Sequence, residues 1–418
     1  MKITHYLLVL LAGFCLLLPA SGFAADTADL ERQVQELARQ LQELKAQLAN
    51  QHHEIESNVQ RLSEHKRNLS RNREHLQEQD EKLEKTLTEQ ESIAHFAERL
   101  KSINERVKIS GLLEVEAGFS RDYDDNNESD ITLATAALDI DIDLHKYVDA
   151  HIMFLWEEDD TEPVDIDEGY IVIGNTEFFP LYVQAGKLYV PFGNFESNMI
   201  SDPLTLEIGE TRETAVVFGG EYEGFHASTY AFNGDVDESG DDDQIKCFGL
   251  EAGYTFENET FGLDVGAGWM NNIADSDTLG DTLPGEIEDY VDGITAHAIV
   301  SWQGFKLIGE YLGAMDDFEV AELEFKGKGA QPEAWNIELG YTFEIASHET
   351  VFAVAYQGTD EALALELPEE RYMGTAGVGL VDGLSLALEY AHDKDYDKKE
   401  GGSGDSADTL TLQMALEF

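Results

Sequence analysis

The sequence predicts a transmembrane β-barrel of about sixteen antiparallel strands, preceded by an α-helical coiled coil. Three observations predict this fold class: an N-terminal apolar seam with heptad spacing, strict alternation of apolar and polar residues after Val107, and connections that are short and long in turn. The expected organisation is a signal peptide at 1–24, a coiled coil at 25–105 and a barrel at 106–418.

The first 24 residues have the pattern of a cleavable signal peptide. An apolar run, Tyr6 to Leu18, follows a short positive start, and small residues lead to a predicted cleavage after Ala24. The run is too short to span a bilayer comfortably. A lipoprotein would use Cys15 instead, but Phe14 stands where a small residue is needed. Both interpretations predict export.

The negative charge belongs mainly to the C-terminal part of the chain. The chain carries 27 basic and 85 acidic residues, a formal net charge of −58, and residues 108–418 hold 13 of the basic and 68 of the acidic ones. Repulsion from phosphate disfavours nucleic acid as a partner, whereas cations are attracted. Only Cys247 remains after the signal peptide, so the exported chain cannot form an internal disulfide.

Residues 30–83 have the spacing of a coiled coil. Seam residues recur at alternating steps of four and three, starting with Leu30, Val34, Leu37, Leu41, Leu44 and Leu48. After Leu48 one seam position stays apolar and the other becomes polar, giving the layers Gln51, Asn58, His65, Asn72 and Gln79. Buried polar layers cost stability but fix register and oligomer number, and these resemble the Asn layers of trimeric coiled coils. The pattern predicts a periplasmic homotrimer; a weaker, fraying helix is the alternative.

From Val107 the period changes to two. Leu138, Ile140, Ile142 and Leu144 alternate with three carboxylates, and a similar pattern precedes them; the polar set is Glu114, Glu116, Asp139, Asp141 and Asp143. Successive side chains of a strand point to opposite faces. A carboxylate ladder opposite an apolar face fits a barrel with lipid outside and water inside.

The connections carry the strongest signal. Short ones, such as Glu223-Gly224, Gln303-Gly304 and Asp382-Gly383, alternate with long polar ones. Short periplasmic turns opposite long outer loops are typical of an outer-membrane barrel. Its last strand, Leu410 to Phe418, is expected to pair with Val107–Phe119 and close the barrel, with Phe418 as the cue for insertion.

The third long connection, 191–211, differs from the others because it contains Leu, Ile, Phe and Met side chains that must be buried. Folding into the lumen would bury them; packing on a neighbouring outer loop is the alternative. In the lumen, its carboxylates would line a constriction and face Lys187, Arg212, Glu213 and the wall carboxylates. The loop carboxylates are Glu196, Asp202, Glu207 and Glu210.

The residues around this loop also carry a resemblance. The blocks 181–187, 189–193, 201–207 and 209–215 resemble the siderophore porins related to the legiobactin receptor. The resemblance implies a coiled-coil N-terminus before a 16-stranded barrel, and uptake of a siderophore or metal chelate. The fold is more distantly similar to the phosphate-selective type of 16-stranded outer-membrane porin. Those porins need a basic lumen, which 13 basic residues do not supply.

The acidic outer loops invite a metal-binding interpretation. Asp235 to Asp241 begins like an EF-hand loop, but Lys246 occupies the position that needs a bidentate Glu, which excludes that motif. Loosely bound Ca²⁺ or Mg²⁺ that bridges the loops to lipopolysaccharide is the remaining expectation, and no cofactor is predicted. No catalytic set of Ser, His and Asp has a suggestive spacing, so the chain is not expected to be an enzyme.

The sequence therefore predicts an outer-membrane channel with an acidic lumen, passing cations or siderophore and metal-chelate solutes. Its expected partners are outer-membrane lipid, lipopolysaccharide and two further copies of itself. The alternative is a structural tether or adhesin, in which the coiled coil binds peptidoglycan or a periplasmic protein.

Overall fold

The computed structural model describes residues 27–102, 106–158, 161, 163–176, 178–240 and 244–418. The predicted signal peptide, including its cleavage after Ala24, lies outside these residues. The chain divides into an N-terminal unit, residues 1–99, and a C-terminal unit, residues 100–418.

The N-terminal unit contains one long helix, α1, which spans Thr27–Ser102. Its 76 residues correspond to a length of roughly 110 Å at the usual rise per residue. The apolar seam is solvent-exposed in the single chain, with Leu41 at 56% and Leu62 at 69%. The polar seam residues Gln51, His65, Asn72 and Gln79 are exposed too, while the side chain of Asn58 is outside the described set. The helix is confirmed; its assembly into a coiled coil stays a prediction.

In the parts of 27–102 and 106–418 that the structure describes, no helix is both long enough and apolar enough to cross a bilayer.

Sixteen antiparallel strands form a closed barrel in the C-terminal unit, each paired with its neighbours in sequence. They are β1 Val107–Arg121, β2 Asn127–His145, β3 Val148–Trp156, β4 Asp165–Asn175, β5 Phe179–Tyr189, β6 Arg212–Tyr222, β7 Phe225–Phe232, β8 Cys247–Glu257, β9 Phe261–Met270, β10 Gly293–Trp302, β11 Phe305–Ala314, β12 Glu333–Ile345, β13 His348–Asp360, β14 Glu370–Val381, β15 Leu384–Lys394 and β16 Ser406–Glu417. The predicted strand number and order are confirmed.

The barrel closes between its first and last strands. The β1–β16 ladder runs from Leu112 opposite Glu417 to Arg121 opposite Asp408. Beyond it, Gly111 N–H donates to the carbonyl of Phe418 at 3.0 Å, and Phe418 N–H returns a bond at 3.1 Å. The Phe418 ring lies over Gly111, where a Cβ would come within 2.6 Å of it. The predicted pairing of the last strand with the first is confirmed.

One end of the barrel, the turn end, carries the tight turns. Glu223 and Gly224 have φ of 51° and 89°, and Gln303 and Gly304 have 48° and 85°. Two successive left-handed residues match the twist of antiparallel strands, and the second position favours glycine because it has no Cβ. The opposite end, the loop end, carries the long connections.

The outer face of the barrel is an apolar band between two aromatic belts. Exposed side chains such as Ile171, Val216, Leu250, Val354 and Leu412 form the band. The aromatic side chains exposed near the turn end are Phe178, Phe179, Tyr222, Phe225, Phe256, Trp302, Phe305, Tyr341 and Phe352. Those exposed near the loop end are Phe119, Phe248, Tyr311, Tyr372 and Tyr390. This arrangement is typical of barrels that span a lipid bilayer.

The long connections fold over the loop end and share one hydrophobic core. They contain helix α2, Leu204–Gly209, helix α3, Asp277–Thr282, and a 3₁₀ turn at Leu363–Leu365. Two small sheets pair Asp237–Glu238 with Glu286–Ile287, and Glu324–Phe325 with Lys328–Gly329. Their buried side chains form one cluster with inward residues of the barrel; members include Leu188, Phe192, Leu204, Ile208, Leu279, Ile287, Leu312, Phe318 and Tyr396.

Candidate functional site

The connection 191–211, called here the pore loop, lies inside the barrel. Its outgoing part crosses the inner faces of β11, β12 and β15. Asn194 N–H donates to Glu310 Oε1 on β11 at 2.7 Å, and Ile200 N–H donates to Glu389 Oε2 on β15 at 2.5 Å. Between these points, Met199 packs against Ala355, Met373 and Ala391 of β13–β15.

The returning part of the pore loop runs back towards β11. Leu204 N–H donates to Gln357 Oε1 on β13 at 3.1 Å, and the Thr205 hydroxyl donates to Glu310 Oε2 at 2.9 Å. Leu204 and Ile208 are fully buried in the core beneath the outer loops. The core includes inward residues of strands from β5 to β12, and the pore loop contacts β11–β15. Among the described residues, β1–β3 and β16 contribute to neither cluster, and the space beside their inner faces is called here the opening.

Asp202 stands at the turn of the pore loop, between its outgoing and returning parts, and its side chain is exposed. The surrounding protein nevertheless displaces part of the water around its carboxyl, and this desolvation, followed by the negative charges of Glu207, Glu157, Glu114 and Glu116, raises the pKa of Asp202 to about 6. Glu114 and Glu116 lie on the inner face of β1, so the loop presents one carboxylate towards a wall that carries others.

The wall opposite the pore loop continues as a carboxylate ladder towards the turn end. Asp139 and Asp141 on β2 alternate with outward apolar residues, and His151 of β3 lies opposite Asp141. The His151 Nδ1 atom is 2.7 Å from Asp141, and its Nε2 atom is 3.5 Å from Glu168 of β4. Asp143 follows at the turn end, 3.9 Å from Lys108. The wall is therefore acidic along much of its length.

Basic side chains add little free positive charge to this wall. At least nine of the 13 basic residues in 108–418 lie within 4.0 Å of a carboxylate. The one that matters most for the opening is Arg371 of β14, which faces inwards and donates to both oxygens of Asp393 at 2.8 and 3.0 Å. Its positive charge is matched locally by that carboxylate.

Two of the expected constriction residues lie elsewhere. Lys187 shares a strand face with Leu181 and Val183, pointing away from the lumen, and its ammonium lies 3.7 Å from Asp165. This differs from the expectation because alternation along β5 places residue 187 on the outer face. Arg212 is held by the nearly fully buried Asp167 and does not face the turn of the pore loop.

The remaining expected residues fall close to the pore loop but have partners. Glu196 pairs with Lys306 of β11. Glu207 accepts a bond from the Thr278 hydroxyl at 3.2 Å, which ties the pore loop to α3 in the outer loop between β9 and β10. Burial and the charges of Asp277, Asp202 and Asp167 raise the pKa of Glu210 to about 8, although Arg212 opposes the shift. Glu213 faces inwards from β6.

Sequence reasoning missed three important residues, Glu310, Glu338 and Glu389. Each lies on the inner face of a strand and is almost completely buried beneath the pore loop. The signal for them was weak: one acidic residue at an inward position of an otherwise ordinary strand. Their role depends on the path of a loop more than 100 residues away, which local patterns do not encode.

Metal binding is not indicated by the arrangement of side chains. Among the residues that the structure describes, no three His, Cys, Asp or Glu side chains converge closely enough to hold one metal ion. Asp241, part of the acidic run beginning at Asp235, lies outside the described residues. Loose binding of Ca²⁺ or Mg²⁺ at the outer loops stays a prediction.

Two curated relatives are similar to the chain. It is 30% identical to the UPF0422 protein of Legionella pneumophila (strain Paris) over 358 residues, covering 75% of this chain and 66% of the relative. It is 30% identical to the UPF0422 protein of Coxiella burnetii (strain RSA 493 / Nine Mile phase I), covering 72% of this chain and 66% of the relative. The chain thus spans 66% of the length of these relatives. No protein-family model matches it.

Solved structures match the barrel. The anion-selective porin from Comamonas acidovorans aligns with a TM-score of 0.53 and 13% identity, covering 75% of this chain and 99% of that porin. OprB of Pseudomonas putida gives 0.52 and 12%, covering 77% and 96%, and the outer-membrane channel DcaP of Acinetobacter baumannii gives 0.51 and 13%, covering 75% and 97%. The fold is that of a 16-stranded porin.

Proposed function

From its similarity to the UPF0422 proteins and its porin-type barrel, we propose that the chain is an outer-membrane channel that passes cations or cation-bearing solutes. The observation that carries the proposal is that Asp202 on the pore loop lies close enough to Glu114 and Glu116 of β1 to interact with their charges, beside a wall that continues with Asp139 and Asp141. Carboxylates on both sides of a narrow opening raise the local concentration of cations and repel anions.

The location in an outer membrane rests on the outer face of the barrel. An apolar band between two aromatic belts requires lipid around it, because water would leave that surface exposed at a large free-energy cost. Charged outer loops at one end suit contact with lipopolysaccharide. Loosely bound Ca²⁺ or Mg²⁺ between acidic loops and lipid phosphates belongs to the same proposal.

The finer assignment, to siderophore or metal-chelate uptake, comes from the resemblance of residues 181–215 to the siderophore porins related to the legiobactin receptor. Iron chelates carrying positive charge would be enriched by the same carboxylates that enrich simple cations. A chelate that is negatively charged overall would be repelled. The proposal therefore restricts the solute to neutral or cationic complexes.

The assembly we propose is a homotrimer joined by a periplasmic coiled coil of α1. The seam of α1 leaves Leu and Ile side chains more than half exposed in the single chain, and association of equivalent helices would bury them. In a parallel, in-register assembly, equivalent seam positions of the copies meet. Each polar side chain of the layers from Gln51 to Gln79 would then face the same residue of the other copies and not an apolar one.

Reversal potentials in planar bilayers containing the purified full-length chain test the channel proposal. Under a salt gradient, a cation-selective channel gives a reversal potential close to the equilibrium potential of the cation. The opposite sign, or an absence of current from correctly folded protein, would contradict the proposal. The latter result would favour a structural tether whose helix binds peptidoglycan or a periplasmic protein.

A further inference from the structure

If the protein is the channel proposed above, the carboxylates of the pore loop and of the inner wall have two different roles. We propose that Glu310, Glu338 and Glu389 are positioning residues: clamps that fix the pore loop and so set the shape of the opening. The carboxylates of Glu114, Glu116 and Asp202, by contrast, face the opening and set its charge.

Burial separates the clamps from the conduction path. Glu310, Glu338 and Glu389 are 6%, 0% and 2% exposed. A permeating ion therefore does not contact them directly. A carboxylate with so little access to water is stable only when hydrogen bonds or charges within the protein replace its hydration. The pore loop supplies those hydrogen bonds.

Each clamp uses both of its oxygens. At Glu310, Oε1 accepts from Asn194 N–H at 2.7 Å, while Oε2 accepts from Phe195 N–H at 3.2 Å and from the Thr205 hydroxyl at 2.9 Å. Three donors therefore converge on one side chain. Two of them are backbone groups, so they would be left unsatisfied if the carboxylate were removed.

The other two clamps repeat this arrangement. Glu338 Oε2 accepts from the Ser197 hydroxyl at 2.8 Å. Its Oε1 accepts from the backbone N–H of Asn198 at 2.8 Å and also from the side-chain amide of Asn198. Glu389 Oε2 accepts from Ile200 N–H at 2.5 Å, and Oε1 accepts from the Ser201 hydroxyl at 2.7 Å. Five successive residues, 197–201, thus contain four that donate to a buried carboxylate.

Only an ionised carboxylate satisfies the donors at Glu310 and Glu389, because both oxygens of each accept from a backbone N–H. A glutamine there offers one accepting oxygen and turns an NH₂ group towards a backbone donor, and a protonated acid offers an O–H in the same place. At Glu338 the Ser197 hydroxyl could accept instead, so a glutamine would be tolerated better. Replacing Glu310 by glutamine should therefore raise the detached fraction of that part of the loop about tenfold to a hundredfold.

The test compares Glu310→Gln, which leaves a backbone N–H of the pore loop unpaired, with Glu114→Gln, which removes a carboxylate of the inner wall that is not a clamp. In planar bilayers, Glu310→Gln should give currents that switch among several levels while the reversal potential stays that of the unaltered protein. Glu114→Gln should keep one steady level but shift the reversal potential towards zero. Hydrogen exchange of the amides in 194–201, measured by mass spectrometry, should accelerate about tenfold to a hundredfold in the clamp variant only.

Thr205→Val provides a second variant, because it removes a donor to Glu310 without changing the barrel wall. It should accelerate exchange in the same segment, by a smaller factor. Steady single-level current with unchanged exchange in both variants would overturn the proposal, and so would a shift of the reversal potential by Glu310→Gln equal to that of Glu114→Gln. If folded protein passes no current at all, the channel proposal fails, and hydrogen exchange still decides whether the clamps hold the loop.

Discussion

Replacing Asp202 by Asn should remove a step from the pH dependence of ion selectivity. With a pKa of about 6, Asp202 is roughly nine-tenths ionised at pH 7 and about one-tenth ionised at pH 5. A carboxyl with a raised pKa carries its charge only above that pKa. The preference for cations should therefore be present above pH 6 and weaken as the pH falls through 6.

The size of the effect follows from Coulomb's law. A carboxylate about 5 Å from a monovalent ion in water contributes about 0.8 kcal/mol, which changes the local ion concentration about fourfold. Cations lose this attraction and anions lose the matching repulsion, so the permeability ratio should fall about 16-fold at most. Screening reduces the effect above about 0.1 M salt.

The assay is the reversal potential of single channels under a salt gradient at pH 7.5, 6 and 5. At all three pH values, Asp202→Asn should show the low selectivity that the unaltered protein reaches only at pH 5, with no step near pH 6. Asp281→Asn, an exposed position on α3 in an outer loop, removes the same charge away from the pore loop and should behave as the unaltered protein. If Asp202→Asn keeps the pH dependence of selectivity of the unaltered protein, the placement of Asp202 at the opening is refuted.

Three further results are expected. Since the pKa of Glu210 is raised to about 8, its folded form retains a proton that the unfolded form has lost; stability to urea should fall as the pH rises from about 4.5 to 8, and Glu210→Gln should reduce that fall. Leu204→Ala should lower the free energy of unfolding by about 2–5 kcal/mol because the side chain is fully buried, whereas Val320→Ala, at 49% exposed, should have little effect. Deleting residues 27–102 should abolish trimers in sedimentation experiments while conductance persists; trimers that survive the deletion would contradict the role given to α1.

Sequence reasoning recovered the barrel because its determinants are local. Alternation of apolar and polar residues decides which face a strand turns to lipid, and loop length decides which end of the barrel a connection occupies. Asp139 and Asp141, for example, indicate which face of β2 lines the lumen, because they alternate with apolar residues along that strand. The closure of β16 on β1 followed from the same rule, since an unpaired edge within lipid is too costly.

The candidate site was only partly predictable. The apolar content of the pore loop indicated that it must be buried, but its path across β11, β12 and β15 depends on donors and acceptors far apart in sequence. Lys187 was misplaced because its charge was given more weight than the alternation along β5, which puts it on the face of Leu181 and Val183. For α1, spacing predicts the seam, whereas the polar layers from Gln51 to Gln79 are what the sequence offers on how many copies meet along it.

The shared core of the outer loops restricts how this surface can vary. Leu279 and Phe318, from two different outer loops, belong to the same buried cluster as Leu204 and Ile208 of the pore loop. Surface loops usually tolerate insertions, exchanges and peptide tags because little depends on their interior. Here, a tag at an exposed tip should be accepted, whereas a transplanted whole loop would disturb the pore unless the apolar side chains beneath it were transplanted too.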